Sequence, residues 1–224
     1  MRLIIFVLLS NLFLHCSSKT VMTEAGFSYL ALGDSYTIGE SVPTESSFPL
    51  QVVEILKQKG INLKQPQIIA KTGWTTANLQ NAITQAGLKP PYDVVTLLIG
   101  VNNQFQGRSR EEYAIQFEQL LLRSIQLAGN DLTRVFVLSI PDYGSTPFSA
   151  SRNRTEIGEQ IDSFNAINRN IAVQMGVTYI DITPGSREAI SDLSLVAADG
   201  LHPSAKEYRK WALKLADSIE VRLK

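Results

Sequence analysis

The sequence holds one cysteine and two histidines in 224 residues. A single cysteine closes no internal disulfide, and so few histidines among scattered acids give no cluster with metal-ligand spacing. Charge of one sign is also missing: 21 basic and 21 acidic residues balance to a formal charge of zero, so no global field draws nucleic acid or another polyanion. The Gly-Lys-Ser or Gly-Lys-Thr ending of a phosphate-binding loop is absent, and the stretch Gly39-Glu40-Ser41 would repel phosphate. No cofactor is implied. The apolar run at residues 3–14, about a dozen residues long, falls short of the roughly 20 that a membrane-spanning helix needs.

That run follows Met1-Arg2 and has the length of a secretory signal, so residues 1–15 read as an export signal. The alternative is a buried N-terminal helix, which the lack of a polar face disfavours. The cysteine is Cys16, directly after the run and before Ser17-Ser18-Lys19-Thr20. Its position resembles that of the lipid-modified cysteine of bacterial lipoproteins, although Phe13-Leu14-His15 lack the small side chains usual at that cleavage site. The expectation is an exported, membrane-anchored protein with residues 16–26 as a polar tether; simple secretion and a retained anchor are the alternatives. Residues 27–224, in a chain that is 44% hydrophobic, suit one well-packed domain.

Along that domain apolar runs alternate with helical periodicity. Strands are expected at residues 27–32, 67–70, 93–99, 134–140 and 177–182, each followed by glycine, proline or polar residues. Helices are expected at about 48–59, 78–86, 110–128, 155–175 and from Ser204 onward. Ser109 with Glu112, and Ser204 with Glu207, have capping-box spacing. Residues 183–201 read as mostly loop. The alternation implies a parallel five-stranded sheet with helices on both faces, a three-layer α/β/α sandwich whose sites lie beyond the carboxyl ends of the strands. That rule puts residues 33–35, 72–74, 100–103 and 141–144 on one rim.

A serine hydroxyl needs a base to accept its proton, and histidine serves best near neutral pH. With His15 in the expected signal, His202 is the remaining candidate. In Asp199-Gly200-Leu201-His202-Pro203, a carboxylate three positions before the imidazole can bend back to Nδ1 and leave Nε2 for the serine, while Pro203 biases His202 away from helix geometry. Ser35, at the end of the first apolar run, is the candidate nucleophile. An oxyanion also needs donors, each worth roughly 10²- to 10³-fold in rate. The N–H groups of Ser35 and Gly73 and the amide of Asn102 are the candidates.

These residues resemble the motif blocks of the SGNH or GDSL hydrolase family. Gly33-Asp34-Ser35-Tyr36 is similar to its first block, Gly73 to the lone glycine of the second, Gly100-Val101-Asn102-Asn103 to the third and Asp199 to Pro203 to the last. The resemblance implies a flavodoxin-like fold and a serine esterase, with Ser35 as nucleophile, His202 as base, Asp199 orienting it, and Ser35, Gly73 and Asn102 as oxyanion donors. The third block usually ends in aspartate, where this chain has Asn103. The α/β-hydrolase elbow is not matched, because Thr37 stands in place of its second glycine.

Taken singly, each block has a plainer reading: a turn at residues 33–35, a helix entry at 100–103, a surface loop at 199–203. Asp34, Tyr36, Trp74, Asn103 and Tyr143 are candidate substrate contacts, and Pro147 and Phe148 could line an acyl or sugar site or an exposed loop. The substrate would be a small ester, a glycan O-acetyl group or a lipid or lysophospholipid ester. The alternative is a surface-anchored binding module with the same fold that has lost turnover, a reading that rests on Asn103 alone.

Overall fold

The computed structural model describes residues 26–224; the expected export signal, Cys16 and nearly all of the tether lie outside them. Five strands form one parallel sheet: β1 (Tyr29–Gly33), β2 (Gln67–Ala70), β3 (Val94–Leu98), β4 (Val135–Leu138) and β5 (Thr178–Ile180), in the order β2-β1-β3-β4-β5. Every residue of β1, β3 and β4 is buried, as expected of largely apolar runs covered on both faces, whereas the edge strands β2 and β5 keep partial exposure. Register is continuous across the centre, with Leu32 opposite Ile69 on one side and Leu97 on the other.

The helices are α1 (Ser35–Ile38), α2 (Phe48–Gln58), α3 (Thr76–Gln85), α4 (Val101–Phe105), α5 (Arg110–Leu127), α6 (Arg154–Gln174), α7 (Thr183–Ser186) and α8 (Ala205–Leu223). The step from β1 to β2 runs one way along the sheet and every later step runs the other. Right-handed crossovers therefore put α2 on one face and α3, α5 and α6 on the opposite one. The packing agrees: α2 lies against α8, and α5 against both α3 and α6. On α8 the stripe Tyr208, Trp211, Ala212, Leu215 and Ile219 is buried, and it closes the first face.

The long elements match their expected positions, and the differences are local. Helices α1, α4 and α7 are four or five residues long, too short to show a helical period in sequence. Both expected capping boxes form only by half. Ser109 and Ser204 accept from the N–H of Glu112 and Glu207, but Glu112 accepts from Gln116, and Glu207 from the Trp211 indole at 2.8 Å.

Candidate active site

Because all strands run the same way, their carboxyl ends share one rim. β1 delivers Gly33, then Asp34 as the cap of α1, then Ser35. Only glycine fits at residue 33, because a Cβ there would lie 2.1 Å from Thr37 Oγ1 and 2.5 Å from the Leu98 carbonyl oxygen. Asp34 does not reach the cavity. It is fully buried, and its Oδ1 accepts from the Tyr36 N–H at 3.0 Å while Oδ2 has no partner. Burial pushes its carboxyl up to about 7, against the lowering effect of that hydrogen bond.

After β2, the Trp74 N–H donates to the Lys71 carbonyl at 3.2 Å, closing a turn in which Gly73 takes φ +81°, a conformation that favours glycine. Beyond β3, Gly100 caps α4 at φ +134°, where a Cβ would sit 2.7 Å from both Ile140 and Tyr113. That close approach aims Asn102 at the Gly73 turn: its Nδ2 donates one hydrogen to the Trp74 carbonyl at 3.0 Å, leaving the other.

The last segment is a closed loop. Val196 bridges Pro203, and the Ala197 N–H donates to the His202 carbonyl at 2.7 Å. Asp199 bends back as its spacing suggested. Its Oδ2 lies 2.5 Å from His202 Nδ1, and its Oδ1 accepts from the N–H groups of Leu201 at 2.9 Å and His202 at 3.0 Å. The His202 ring is buried and meets Tyr36 edge to face at 5.6 Å between centroids.

Ser35, Tyr36, Gly73, Asn102, Tyr143 and His202 line one cavity of about 140 Å³. Three larger surface hollows, about 450, 540 and 440 Å³, contain neither Ser35 nor His202. Two expected substrate contacts need correction besides Asp34. The Trp74 side chain packs on the hydrophobic core and is not part of the cavity wall. Asn103 is fully buried at the start of α3, where its Oδ1 accepts from the Thr76 N–H at 3.0 Å and its Nδ2 donates to Thr76 Oγ1 at 2.7 Å.

Sequence reasoning missed the far wall of the cavity, made by Phe105 at the end of α4 together with Phe148, whose role had stayed open. The rings of Phe105, Tyr143 and Phe148 lie 5.9 to 6.3 Å apart, and the Arg152 guanidinium covers both phenylalanines at 5.4 and 4.8 Å. Phe105 is four residues beyond Val101 on a helix too short to announce itself. The Phe148 N–H donates to the Gly200 carbonyl at 2.8 Å, which ties the aromatic wall to the histidine loop. The Tyr143 turn is pinned from below: Asp142 accepts from the Gly144 N–H at 2.8 Å and from Arg187 Nε at 2.9 Å.

A serine, an aspartate-braced histidine, a glycine turn and an asparagine amide thus line one cavity on the rim of a parallel sheet, an arrangement of the kind found in hydrolases. Residues 31–210 match the GDSL-like lipase/acylhydrolase family, and the chain belongs to that family. It is a carboxylic ester hydrolase. Among curated proteins none matches the sequence. Solved structures with the same fold include a lipase/acylhydrolase from Enterococcus faecalis, 19% identical, with TM-score 0.68 over 88% of this chain and 97% of that one. A lipolytic G-D-S-L family protein from Veillonella parvula is 19% identical, with TM-score 0.66 over 85% and 96%. An acetylxylan esterase from Geobacillus stearothermophilus is 17% identical, with TM-score 0.67 over 87% and 94%.

Proposed function

We propose that the chain hydrolyses carboxylic esters through an acyl-Ser35 intermediate. The observation that carries this reading is the convergence of Ser35, Gly73, Asn102 and His202 on one cavity, with Asp199 bonded to the far nitrogen of the histidine. Ser35 Oγ attacks the ester carbonyl carbon and its proton passes to His202 Nε2. The charge on the carbonyl oxygen is met by the N–H groups of Ser35 and Gly73 and by the remaining Asn102 amide hydrogen. The C–O bond to the alcohol then breaks, and the alcohol leaves with the proton from His202. A water molecule, deprotonated by His202, releases the acid and restores Ser35. Asp199 holds the imidazole in the tautomer with Nδ1 protonated.

The wall of Phe105, Tyr143 and Phe148 suits an ester with an apolar acyl or alcohol group, in preference to one that turns sugar hydroxyls to that side. Ser35→Ala and His202→Ala should abolish hydrolysis of p-nitrophenyl butyrate, and a fluorophosphonate should label Ser35 stoichiometrically. Equal turnover by wild type and Ser35→Ala would refute the mechanism. Comparing acyl esters of increasing length with acetylated sugars separates the substrate classes. The binding-module alternative loses its motive, because Asn103 serves the start of α3 and not the cavity. The run at residues 3–14 and Cys16 support export with lipid anchoring, tested by metabolic fatty-acid labelling that Cys16→Ser should remove.

A further inference from the structure

Ser41 and Asn130 are the non-glycine residues with positive φ among the described residues, at 65° and 64°. Asparagine tolerates the left-handed region; serine has less reason to occupy it, and the strain persists only where the surroundings enforce it. Here the turn is fixed at several points. It leaves α1 through Gly39 at φ +74°, the Glu40 N–H donates to the Ser35 carbonyl at 3.1 Å, and the Glu40 carboxylate accepts from the Thr72 hydroxyl. The strained conformation sends the Ser41 hydroxyl to Asp199, where Oγ donates to Oδ2 at 2.6 Å. That is the carboxylate oxygen that contacts His202 Nδ1.

We propose that Ser41 is a positioning residue for ester hydrolysis, its hydroxyl holding the Asp199 carboxylate against His202 from the same turn that carries Ser35. The inference rests on the acyl-Ser35 reading. With Ser41 in place each oxygen of Asp199 has two donors: the N–H groups of Leu201 and His202 on Oδ1, and Ser41 with His202 Nδ1 on Oδ2. Burial of this side chain works to raise its pKa. The hydroxyl of Ser41, the imidazole and the two N–H groups outweigh it and hold the carboxyl well below the usual range. Without the hydroxyl, Asp199, whose side chain keeps 31% exposure, can turn toward water and release the imidazole. The hydroxyl also couples the two halves of the chemistry. Residues 35–41 form one short unit, so a shift of the nucleophile carries the brace of its base with it.

Stability and activity should move in opposite directions across substitutions at this position. Glycine relieves the strain but removes the donor; threonine keeps the donor in a conformation that is worse for a β-branched residue. We expect Ser41→Gly to keep or raise Tm while lowering kcat and the rate of Ser35 labelling by a fluorophosphonate roughly tenfold, with KM unchanged. Ser41→Thr should lower Tm yet retain most of kcat and of the labelling rate. A purely structural residue would rank Tm and kcat in the same order. Wild-type kcat and labelling rate in Ser41→Gly would overturn the proposal, and that variant decides alone if Ser41→Thr does not fold. Turnover surviving in Ser35→Ala would instead refute the acyl-Ser35 reading, so the two failures are distinct.

Discussion

Restoring the family's usual aspartate at position 103 should destabilise this protein, and the hydrogen bonds around Thr76 say by how much. The Thr76 N–H must donate, so the atom of Asn103 facing it is Oδ1, and Nδ2 therefore points at Thr76 Oγ1 at 2.7 Å. Thr76 cannot return a proton along that contact, because its hydroxyl hydrogen goes to Gln116 Oε1 at 2.5 Å. Gln116 is held in turn, its Nε2 donating to Glu112 Oε1 at 3.0 Å. In Asn103→Asp one bond worth about 1 kcal/mol is lost, and a buried carboxylate oxygen faces a lone pair at a cost of roughly 1–3 kcal/mol. The stronger charged acceptor for the Thr76 N–H offsets part of this. We expect a net loss of about 2 kcal/mol at pH 8, or roughly 4–8 °C in Tm for a chain of this size. Burial raises the new carboxyl's folded pKa, so the penalty grows as pH rises and should shrink by pH 4.5, where that carboxyl is protonated and can donate to Thr76. Removing the competitor should do the same. In a Gln116→Ala background the Thr76 hydroxyl is free to donate to the introduced carboxylate, and the cycle should show a favourable coupling of about 1 kcal/mol. Urea denaturation of the four proteins at both pH values is the assay. An Asn103→Asp variant as stable as wild type at pH 8, or a coupling near zero, would refute the reasoning.

Two further outcomes follow from buried carboxylates on the same rim. Asp34, raised by burial from 3.8 to about 7, stays protonated in the folded state over a range where the unfolded chain is ionised. Its contribution to stability is therefore full below pH 3.8 and is lost as pH rises to about 7, the reverse of a salt-bridged aspartate. Between pH 5 and 8 wild type should lose about 2–3 kcal/mol relative to Asp34→Asn, and parallel pH profiles in urea would contradict this. Arg187→Ala leaves Asp142, whose side chain is 6% exposed, without its cation under the Tyr143 turn. We expect a loss of about 2 kcal/mol, discounted for the partly exposed arginine, and a raised KM for p-nitrophenyl butyrate with kcat less affected. An unchanged KM would mean that the turn holds without the pair.

What was legible in the sequence is what is local. The apolar run ending at Gly33 displayed its strand and the serine beyond it, and Asp199 is near enough to His202 for its spacing alone to suggest the contact. Gly73 stood out as a candidate backbone donor and Gly100 as the end of a strand, but that Gly100 is crowded by Ile140 and Tyr113 while Gly73 is open was not legible. The unread parts are pairings between residues far apart in the chain: Ser41 with Asp199, Thr76 with both Asn103 and Gln116, Asp142 with Arg187. No periodicity marks such pairs, because each is made by the return of a crossover and not by a local repeat. Where a local rule failed, a tertiary partner had won. Glu207 has the right spacing to complete a capping box, but its carboxylate serves the Trp211 indole and Lys210.

Packing also brings the proposed nucleophile, near the start of the domain, and the proposed base, near its end, to one cavity. Ser35 and Tyr36 are consecutive on α1, and His202 lies just before α8. The Tyr36 ring meets His202 edge-on at 5.6 Å and Trp211 of α8 at 6.2 Å, and Trp211 in turn meets Phe48 of α2 at 6.3 Å. Trp211 is held by its indole bond to Glu207, one turn earlier on α8. The packing of α2 on α8 that closes one face of the sheet is therefore also what sets His202 against the residue next to Ser35. Phe48, Trp211 and Tyr36 are core residues by burial, yet each is a link in the packing between the helix that carries Ser35 and the loop that carries His202. In this fold the boundary between scaffold and active site runs through the ring of Tyr36.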